Sequence, residues 1–327
     1  MRLPTRDEIG SARNFVYRFM PPTPQYSWPL INRRLGASAW VKHENHTPIG
    51  AFKVRGALIY INWLKQQNPS VTGVIAATRG NFGQGVAFAA RLLGIKAVIV
   101  VPHGNSSEKN AAMRAQGAEL IEHGHDFQAS FEFARSLAVE RSLEFADSFH
   151  PQLVYGTAGY AMELFEAVPP LHTVYVPIGM GSSICGFVAA RNALSLSTRI
   201  VGVVADQALS AALSFEQRRV VEAPANTRIA DGLACRRQHP DALAIMLENV
   251  DRIVQVSESE IAGAMRALYS DTHNLAEGAG AASLAAAIKE RDSIAGLNIG
   301  IALTGGNVDR SVFAKILAPA QEAVEVA

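Results

Sequence analysis

The sequence predicts an α/β protein built on parallel sheets, with room for about two domains. Three observations carry this. Residues 71–150 alternate apolar strand-like runs with helical ones in the order strand, helix, strand, helix, strand, helix, which is the pattern of a parallel unit. The alternation resumes after Pro151. The strands read at 71–77, 173–176 and 299–303 each end in a polar or glycine-rich exit, so these loops gather at the carboxyl edge of a parallel sheet, where open α/β folds bind ligands. With 327 residues, 49% hydrophobic and 18% charged, the chain can bury a substantial core.

Each element has its own signal. A short helix near 7–19 precedes a proline-rich turn at Pro21, Pro22 and Pro24. Residues 39–42 read as a strand leading into a polar loop that ends at Pro48 and Gly50. A helix then begins around Lys53, with Val54, Ala57, Leu58 and Ile61 at helical spacing. The strand 71–77 runs into a turn at 78–84, and a helix over 86–93 stops at Gly94. A strand at 97–101, a helix over 106–116 ended by Gly117, a short strand at 119–121 and an amphipathic helix over 127–141 follow. Beyond Pro151 come a helix over 156–167, a strand at 173–176, a glycine-rich turn, a helix over 185–193 and a strand at 200–204. Residues 224–240 are loop-like. Ser257 and Glu260 form a capping-box pattern for a helix reaching Tyr269. A small-residue helix over 278–287 suits close packing, and the strand 299–303 ends in Thr304-Gly305-Gly306-Asn307. The sequence ends at Ala327, and no appended regulatory domain with isoleucine-type feedback is expected.

Composition excludes several function classes. The net charge is +1 and no basic run is interleaved with aromatics, so no nucleic-acid partner is expected. No apolar run reaches the roughly 20 residues of a membrane span. The first nine residues are charged and lack the apolar core of a signal peptide. The two cysteines, Cys185 and Cys235, have no metal-like spacing and suit a reducing compartment. A soluble, cytoplasmic protein is the expectation. Cys185 lies at a helix start that would acidify a thiol, but a packed small side chain is the preferred reading. His43, Glu44 and His46 give no zinc site, because positions 43 and 46 of an extended segment face opposite sides.

Four stretches bear chemistry. Lys53 falls in the first turn of its helix, where the positive end of the dipole disfavours an ammonium ion. Burial would favour the neutral amine further, and such an amine is what a Schiff-base lysine needs. Taken alone, a lysine at a helix start is more often simply solvated. Gly179-Met180-Gly181-Ser182-Ser183, between a strand and a helix, can close backbone N–H groups around one phosphate or be a plain tight turn. Its glycines at 179, 181 and 186 do not follow G-x-G-x-x-G spacing, and Ala205, not an acidic residue, follows the next strand, so no dinucleotide fingerprint is present. The turn Thr78-Arg79-Gly80-Asn81-Phe82 offers N–H groups to a carboxylate, with Asn81 able to bond a phenolic oxygen or to act as a local cap. Thr304 places a neutral hydroxyl at the sheet edge or caps the turn after it.

Together, Gly-Ala-Phe-Lys-Val-Arg-Gly-Ala around Lys53, Arg-Gly-Asn-Phe-Gly-Gln-Gly-Val-Ala from Arg79, the Gly-Met-Gly-Ser-Ser cup, Ile229-Ala230-Asp231-Gly232 and Thr-Gly-Gly-Asn-Val from Thr304 occur in the order of a known family. The chain resembles the fold-type-II pyridoxal-phosphate enzymes, in the threonine/serine dehydratase and serine racemase branch, from about Thr5 to Phe313. The resemblance implies two doubly wound parallel-sheet domains of the tryptophan-synthase-β kind, a smaller substrate-binding one at 73–148 and a larger cofactor-binding one from 1–72 and 149–327, with pyridoxal 5′-phosphate between them. It implies that Lys53 carries the cofactor as a Schiff base, that Phe52 packs beside its ring and that Asn81 bonds the phenolic oxygen. Gly179, Met180, Gly181, Ser182 and Ser183 would hold the phosphate, Gly232 would lie near the ring, and Thr304 would face the pyridine nitrogen. Glu277 matches a glutamate that relatives place near the ring. Thr78, Arg79, Gly80, Asn81 and Phe82 would take the substrate carboxylate. A homodimer acting on a small amino acid is implied as well.

A hydroxyl at the pyridine nitrogen, unlike an aspartate, does not hold the ring protonated, so a long-lived carbanion is disfavoured and loss of the Cα proton is best coupled to departure of a β-substituent. Lys53, once released, is the natural base. The expected reaction is elimination of water from L-threonine, or next L-serine, giving a 2-oxo acid and ammonia. The sequence departs from the branch at Arg79 and Phe82, where relatives commonly carry serine and histidine. A guanidinium is too weak an acid to replace the serine that serves racemases. Little racemase activity is expected, and Arg79 either meets an acidic or bulky substrate group or points to solvent. Phenylserine and 3-hydroxyaspartate therefore stay open as substrates. No family-type metal site is expected, since Val204 and Ser210 stand where racemases carry acidic ligands and Asp206 remains alone. The rival readings are a β-replacement synthase, a racemase and a non-catalytic phosphate-binding protein.

Overall fold

The computed structural model describes residues 1–318, so the last nine residues of the expected larger domain lie outside the described residues. Among the described residues ten strands occur, at Gln25–Ser27 (β1), Ser38–His43 (β2), Gly73–Ala77 (β3), Lys96–Val101 (β4), Glu119–Glu122 (β5), Glu144–Phe145 (β6), Thr173–Pro177 (β7), Arg199–Ala205 (β8), Arg252–Val256 (β9) and Asn298–Leu303 (β10). They form a six-stranded sheet in the order β1-β2-β10-β7-β8-β9 and a four-stranded sheet in the order β5-β4-β3-β6. Every pairing is parallel except that of β1 with β2. Two parallel α/β sheets, as the sequence predicts, are the architecture of the molecule.

Near-continuous apolar strands form parallel sheets because helices cover both faces. The smaller sheet shows this directly. Val74, Ala76, Ile99 and Val101 point into one apolar cluster, while Ile75, Ala77, Val98 and Val100 point into the cluster on the other face. In the larger sheet Val201, Val203, Ile299 and Ile301 face one core, and Val174, Val176, Ile200 and Ala302 face the other. The helix Lys53–Gln67 buries Val54, Ala57, Leu58, Ile61 and Leu64 in the first cluster of the smaller sheet, against Val86, Ala89 and Ile99. The residues just before it belong to the larger sheet: the Phe52 N–H donates to the Thr304 carbonyl at 3.0 Å, and Ala51 bridges Gly305. Lys53 therefore sits where the two sheets meet.

Several boundaries differ from the sequence reading. The helices Asn81–Leu92 and Ser182–Ala193 start earlier than the glycine-rich stretches suggest, so Asn81, Ser182 and Ser183 are first-turn residues of helices and not loop residues. β6, β9 and the helices Ser210–Glu216 and Pro240–Asn249 are additional elements. His43 and His46 do not face opposite sides. Residues Glu44–His46 form a 3₁₀ turn, which brings the two rings to 5.2 Å between centroids. One nitrogen of each is engaged elsewhere, His43 Nε2 accepting from Trp28 Nε1 at 3.0 Å and His46 Nε2 pairing with Asn274 Oδ1 at 2.7 Å.

Candidate active site

The glycine-rich exits converge on one cleft between the sheets, about 850 Å³ in extent including its open mouth. Its wall contains Phe52, Lys53, Thr78, Arg79, Gly80, Asn81 and Phe82 from the lysine loop and the smaller sheet. From the larger sheet it contains Gly179, Met180, Gly181, Ser182, Ser183, Gly232, Glu277 and Thr304. All the residues singled out in the sequence are thus brought together.

Lys53 begins its helix, and no hydrogen-bond acceptor lies within reach of its Nζ among the described residues. The amine stands 4.9 Å from the ring centroid of Phe52 and 5.9 Å from that of Phe82. Burial pushes its pKa below the ordinary lysine value, against the smaller opposing pull of Cys235 and Glu277. An amine with no carboxylate bound to it, at a helix start and between aromatic rings, is suited to be a nucleophile or a base.

Across the cleft, β7 runs into the cup. Gly181 is the N-cap of the following helix and has φ +100°, a left-handed conformation that glycine adopts without strain. A Cβ on Gly179 would come within 2.4 Å of the Gly232 carbonyl oxygen, so only glycine lets the two loops touch. The backbone N–H groups of residues 179–183 find no acceptor among the described residues, and they open on the start of a twelve-residue helix. This is an anion cradle. The Tyr160 hydroxyl and Ser183 Oγ are hydrogen-bonded, and Thr157 Oγ1 donates to the Ser182 carbonyl at 2.8 Å, so the cup is anchored from behind.

At the opposite end, Thr78 Oγ1 accepts from the Gly80 N–H at 3.2 Å. That N–H is therefore engaged internally, leaving those of Arg79, Asn81 and Phe82 for a carboxylate. Arg79 is exposed at the cleft with no partner among the described residues. Phe82 is only 6% exposed and forms part of the smaller sheet's core as well as the cleft wall. Thr304 is buried at the end of β10, and its hydroxyl has no protein partner among the described residues. Glu277 accepts from Asn81 Nδ2 at 2.7 Å, and burial pushes its carboxyl up to about 7 although Lys109 and the Asn81 bond oppose this.

A match to a family model over residues 16–305 decides the assignment. The chain belongs to the pyridoxal-phosphate dependent enzymes. Its cofactor is pyridoxal 5′-phosphate, and its fold is type II of that class. Among curated proteins it is similar to the L-threo-3-hydroxyaspartate ammonia-lyase of Saccharomyces cerevisiae, 32% identical over 97% of each chain. It is also similar to the L-threonine ammonia-lyase of Geobacter sulfurreducens, 35% identical over 85% of this chain and 69% of that one. Among solved structures, that of maize serine racemase superimposes with a TM-score of 0.90 at 28% identity, over 96% of this chain and 97% of that one.

The wall of this pyridoxal-phosphate enzyme's cleft fits the cofactor. The cradle of free N–H groups suits its phosphate, the free amine of Lys53 its aldehyde, and the unpartnered Thr304 hydroxyl its ring nitrogen. Sequence reasoning missed four polar residues of the site. Lys109 reaches across the cleft to Asp231 at 3.0 Å, and its stem lies over Gly80, where a Cβ would meet Lys109 Cδ at 2.8 Å. As one lysine in the first turn of a capped surface helix it had no distinguishing signal. Asp231 lines the cleft and Asn307 donates to the cleft residue Asn81; both lie inside quoted motifs, but nothing in a motif says which members are turned this way. Cys235 lines the cleft near Lys53, its thiol pushed up to about 11 by burial. Cys185 is wholly buried and its thiol is pushed far above its ordinary value by desolvation, so the packed reading holds and no acidification occurs. Among the described residues no group of three or more potential ligands is placed to hold a metal ion, and no helix is long and apolar enough to cross a membrane.

Proposed function

We propose that this enzyme is an ammonia-lyase that eliminates water from an L-β-hydroxy amino acid, L-threonine first and L-serine second, releasing a 2-oxo acid and ammonia. The observation that carries the proposal is the free, desolvated amine of Lys53 set between an anion cradle and a neutral hydroxyl. The bound cofactor supplies the electron sink for charge developing at Cα. The protein's residues do the rest. The N–H groups of Arg79, Asn81 and Phe82 hold the substrate carboxylate and so fix which face of Cα meets Lys53. Lys53 Nζ takes the Cα proton. Thr304 hydrogen-bonds the ring nitrogen without the charge that would keep it protonated, which couples proton loss to departure of the β-hydroxyl. The position opposite Lys53 that a racemase needs for its second acid/base is occupied by an arginine.

A second substrate reading has its own support. Arg79 and Lys109 place two cations beside the carboxylate turn, and the yeast relative is named for 3-hydroxyaspartate. Phenylserine is the third candidate, favoured by Phe82. We further propose the two-part division at 73–148, supported by the separate four-stranded sheet, a homodimer in solution and a cytoplasmic location.

The test is an absorbance spectrum of the purified enzyme before and after L-threonine, with 2-oxo acid followed in the same cuvette. A visible band that disappears in Lys53→Ala, together with 2-oxobutanoate release, supports the proposal. A band without product transfers it to 3-hydroxyaspartate and phenylserine. Absence of any band with added cofactor overturns it.

A further inference from the structure

The side chain of Asn307, just beyond the Thr304 loop, has a role in the cleft that follows from hydrogen-bond polarity. Asn307 Nδ2 donates to the carbonyl oxygen of Ile49 at 2.8 Å and to Asn81 Oδ1 at 2.8 Å. Asn81 Nδ2 in turn donates to Glu277 Oε1 at 2.7 Å. The oxygen and nitrogen of an amide side chain are interchangeable in shape, so their assignment needs a fixed reference. Here the main chain provides one. A backbone carbonyl only accepts, so the atom of Asn307 against Ile49 is its nitrogen. That same nitrogen meets Asn81, whose facing atom is therefore its oxygen, and the Asn81 nitrogen is turned to Glu277. Glu277 accepts in either charge state, as a carboxylate or through the C=O oxygen of the neutral acid. One hydrogen of Asn81 Nδ2 is used in this way. The other has no acceptor among the described residues, on a side chain that lines the cleft.

We propose that Asn307 is a positioning residue which, referenced to the Ile49 carbonyl, turns the Asn81 amide so that an N–H and not a carbonyl oxygen is presented to the phenolic oxygen of the cofactor. This rests on the reading that Asn81 lies against that oxygen. The reversed amide would set two electron-rich oxygens against each other. Asn307 also packs on Gly50, where a Cβ would come within 2.7 Å of Asn307 Oδ1, so the lysine loop itself holds the relay in place.

The test compares Asn307→Asp, Asn307→Ala and Asn81→Ala as holoenzymes and in titrations of the apoenzyme with pyridoxal phosphate, reading the dissociation constant, the position of the visible band and the melting temperature. An aspartate at 307 only accepts, so it draws the Asn81 NH₂ toward itself and turns the carbonyl to the cleft. Asn307→Asp is expected to bind the cofactor about tenfold more weakly, with a displaced band, matching or exceeding Asn81→Ala. Asn307→Ala leaves Glu277 holding the amide and is expected to lose only about threefold. A wild-type band and affinity in Asn307→Asp, with Asn81→Ala impaired, overturns the proposal and leaves the reading of Asn81 intact. Unchanged cofactor binding in Asn81→Ala overturns both. If Asn307→Asp does not fold, an unchanged dissociation constant in Asn307→Ala overturns the proposal by itself.

Discussion

At the scale of single residues, the strongest constraint on the lysine helix is a buried charge cluster two residues beyond Lys53. Arg55, Glu44 and Lys42 are fully buried, and Glu163 nearly so. Arg55 Nε donates to Glu44 at 2.7 Å, its Nη1 donates to Glu163 at 2.6 Å, and Lys42 Nζ donates to Glu163 at 2.6 Å. The Tyr17 hydroxyl adds a fourth bond to Glu163 at 3.0 Å. Burial alone would raise the Glu163 carboxyl, but Arg55 and Lys42 hold it below its ordinary value. The cluster is neutral as a whole, two cations with two anions, so it is tolerable only when complete. Glu163→Ala would leave a net positive charge in the interior, and a loss of about 3–5 kcal/mol is expected by urea unfolding. An unchanged unfolding midpoint would contradict the ion network as drawn. None of this was legible in the sequence. Arg55 stood in a quoted motif, but its partners lie 11 and 108 positions away, and separation of that kind leaves no periodic trace. The cleft residues were legible for the opposite reason: glycines and small polar residues at strand exits report backbone geometry locally.

At the scale of elements, the sequence located strands and helices better than it located their starts. Helix signals come from apolar spacing, and the first turns at Asn81 and Ser182 consist of small and polar residues that read as loop. The helix Pro240–Asn249 gives little signal in the sequence although His239 caps it and Pro240 opens it, because the preceding segment is irregular. The two-residue β6 has no pattern at all and exists only because it pairs with β3. The capping box at Ser257 and Glu260, in contrast, was read from two letters and both of its hydrogen bonds are present. The element on which the proposed phosphate cradle most depends is the start of the helix Ser182–Ala193. Gly181→Ala forces a side chain into φ +100° and sets its Cβ 2.8 Å from that of Ala242. A penalty of about 1–2 kcal/mol at this turn is expected. The N–H groups of the cradle would be displaced with it, and the cofactor dissociation constant should rise about tenfold or more. Retention of cofactor through dialysis at the wild-type level would show that the phosphate is held elsewhere.

At the scale of the whole molecule, two buried groups on different elements set the acid response, and they act in opposite directions. His43 is fully buried and its imidazole is pushed down to about 4, chiefly by burial and then by His46. Its folded pKa lies below the unfolded value of 6.5, so its contribution to stability is present above pH 6.5 and is lost as pH falls toward 4. His150 is shifted downward for the same reason and adds to this loss. Glu277 is the reverse case. Its folded value of about 7 lies above the unfolded 4.5, so its contribution is present below pH 4.5 and is lost as pH rises toward 7. Between pH 4.5 and 6.5 the two slopes, each about 1.4 kcal/mol per pH unit, oppose one another. The wild-type enzyme is therefore expected to show only a shallow fall in unfolding free energy as pH drops across that window, the part contributed by His150. It should lose stability steeply only below about pH 4.5, where carboxylates held low by their partners, Glu163 among them, take up protons. Glu277→Gln removes one side of the balance. Its stability should fall by about 3 kcal/mol more than that of the wild type between pH 6.5 and 4.5, as measured by urea unfolding at a fixed cofactor concentration. Parallel curves for the two proteins would mean that Glu277 ionises in the folded enzyme as it does in the unfolded chain, and that the cleft is wetter at that carboxyl than its burial implies.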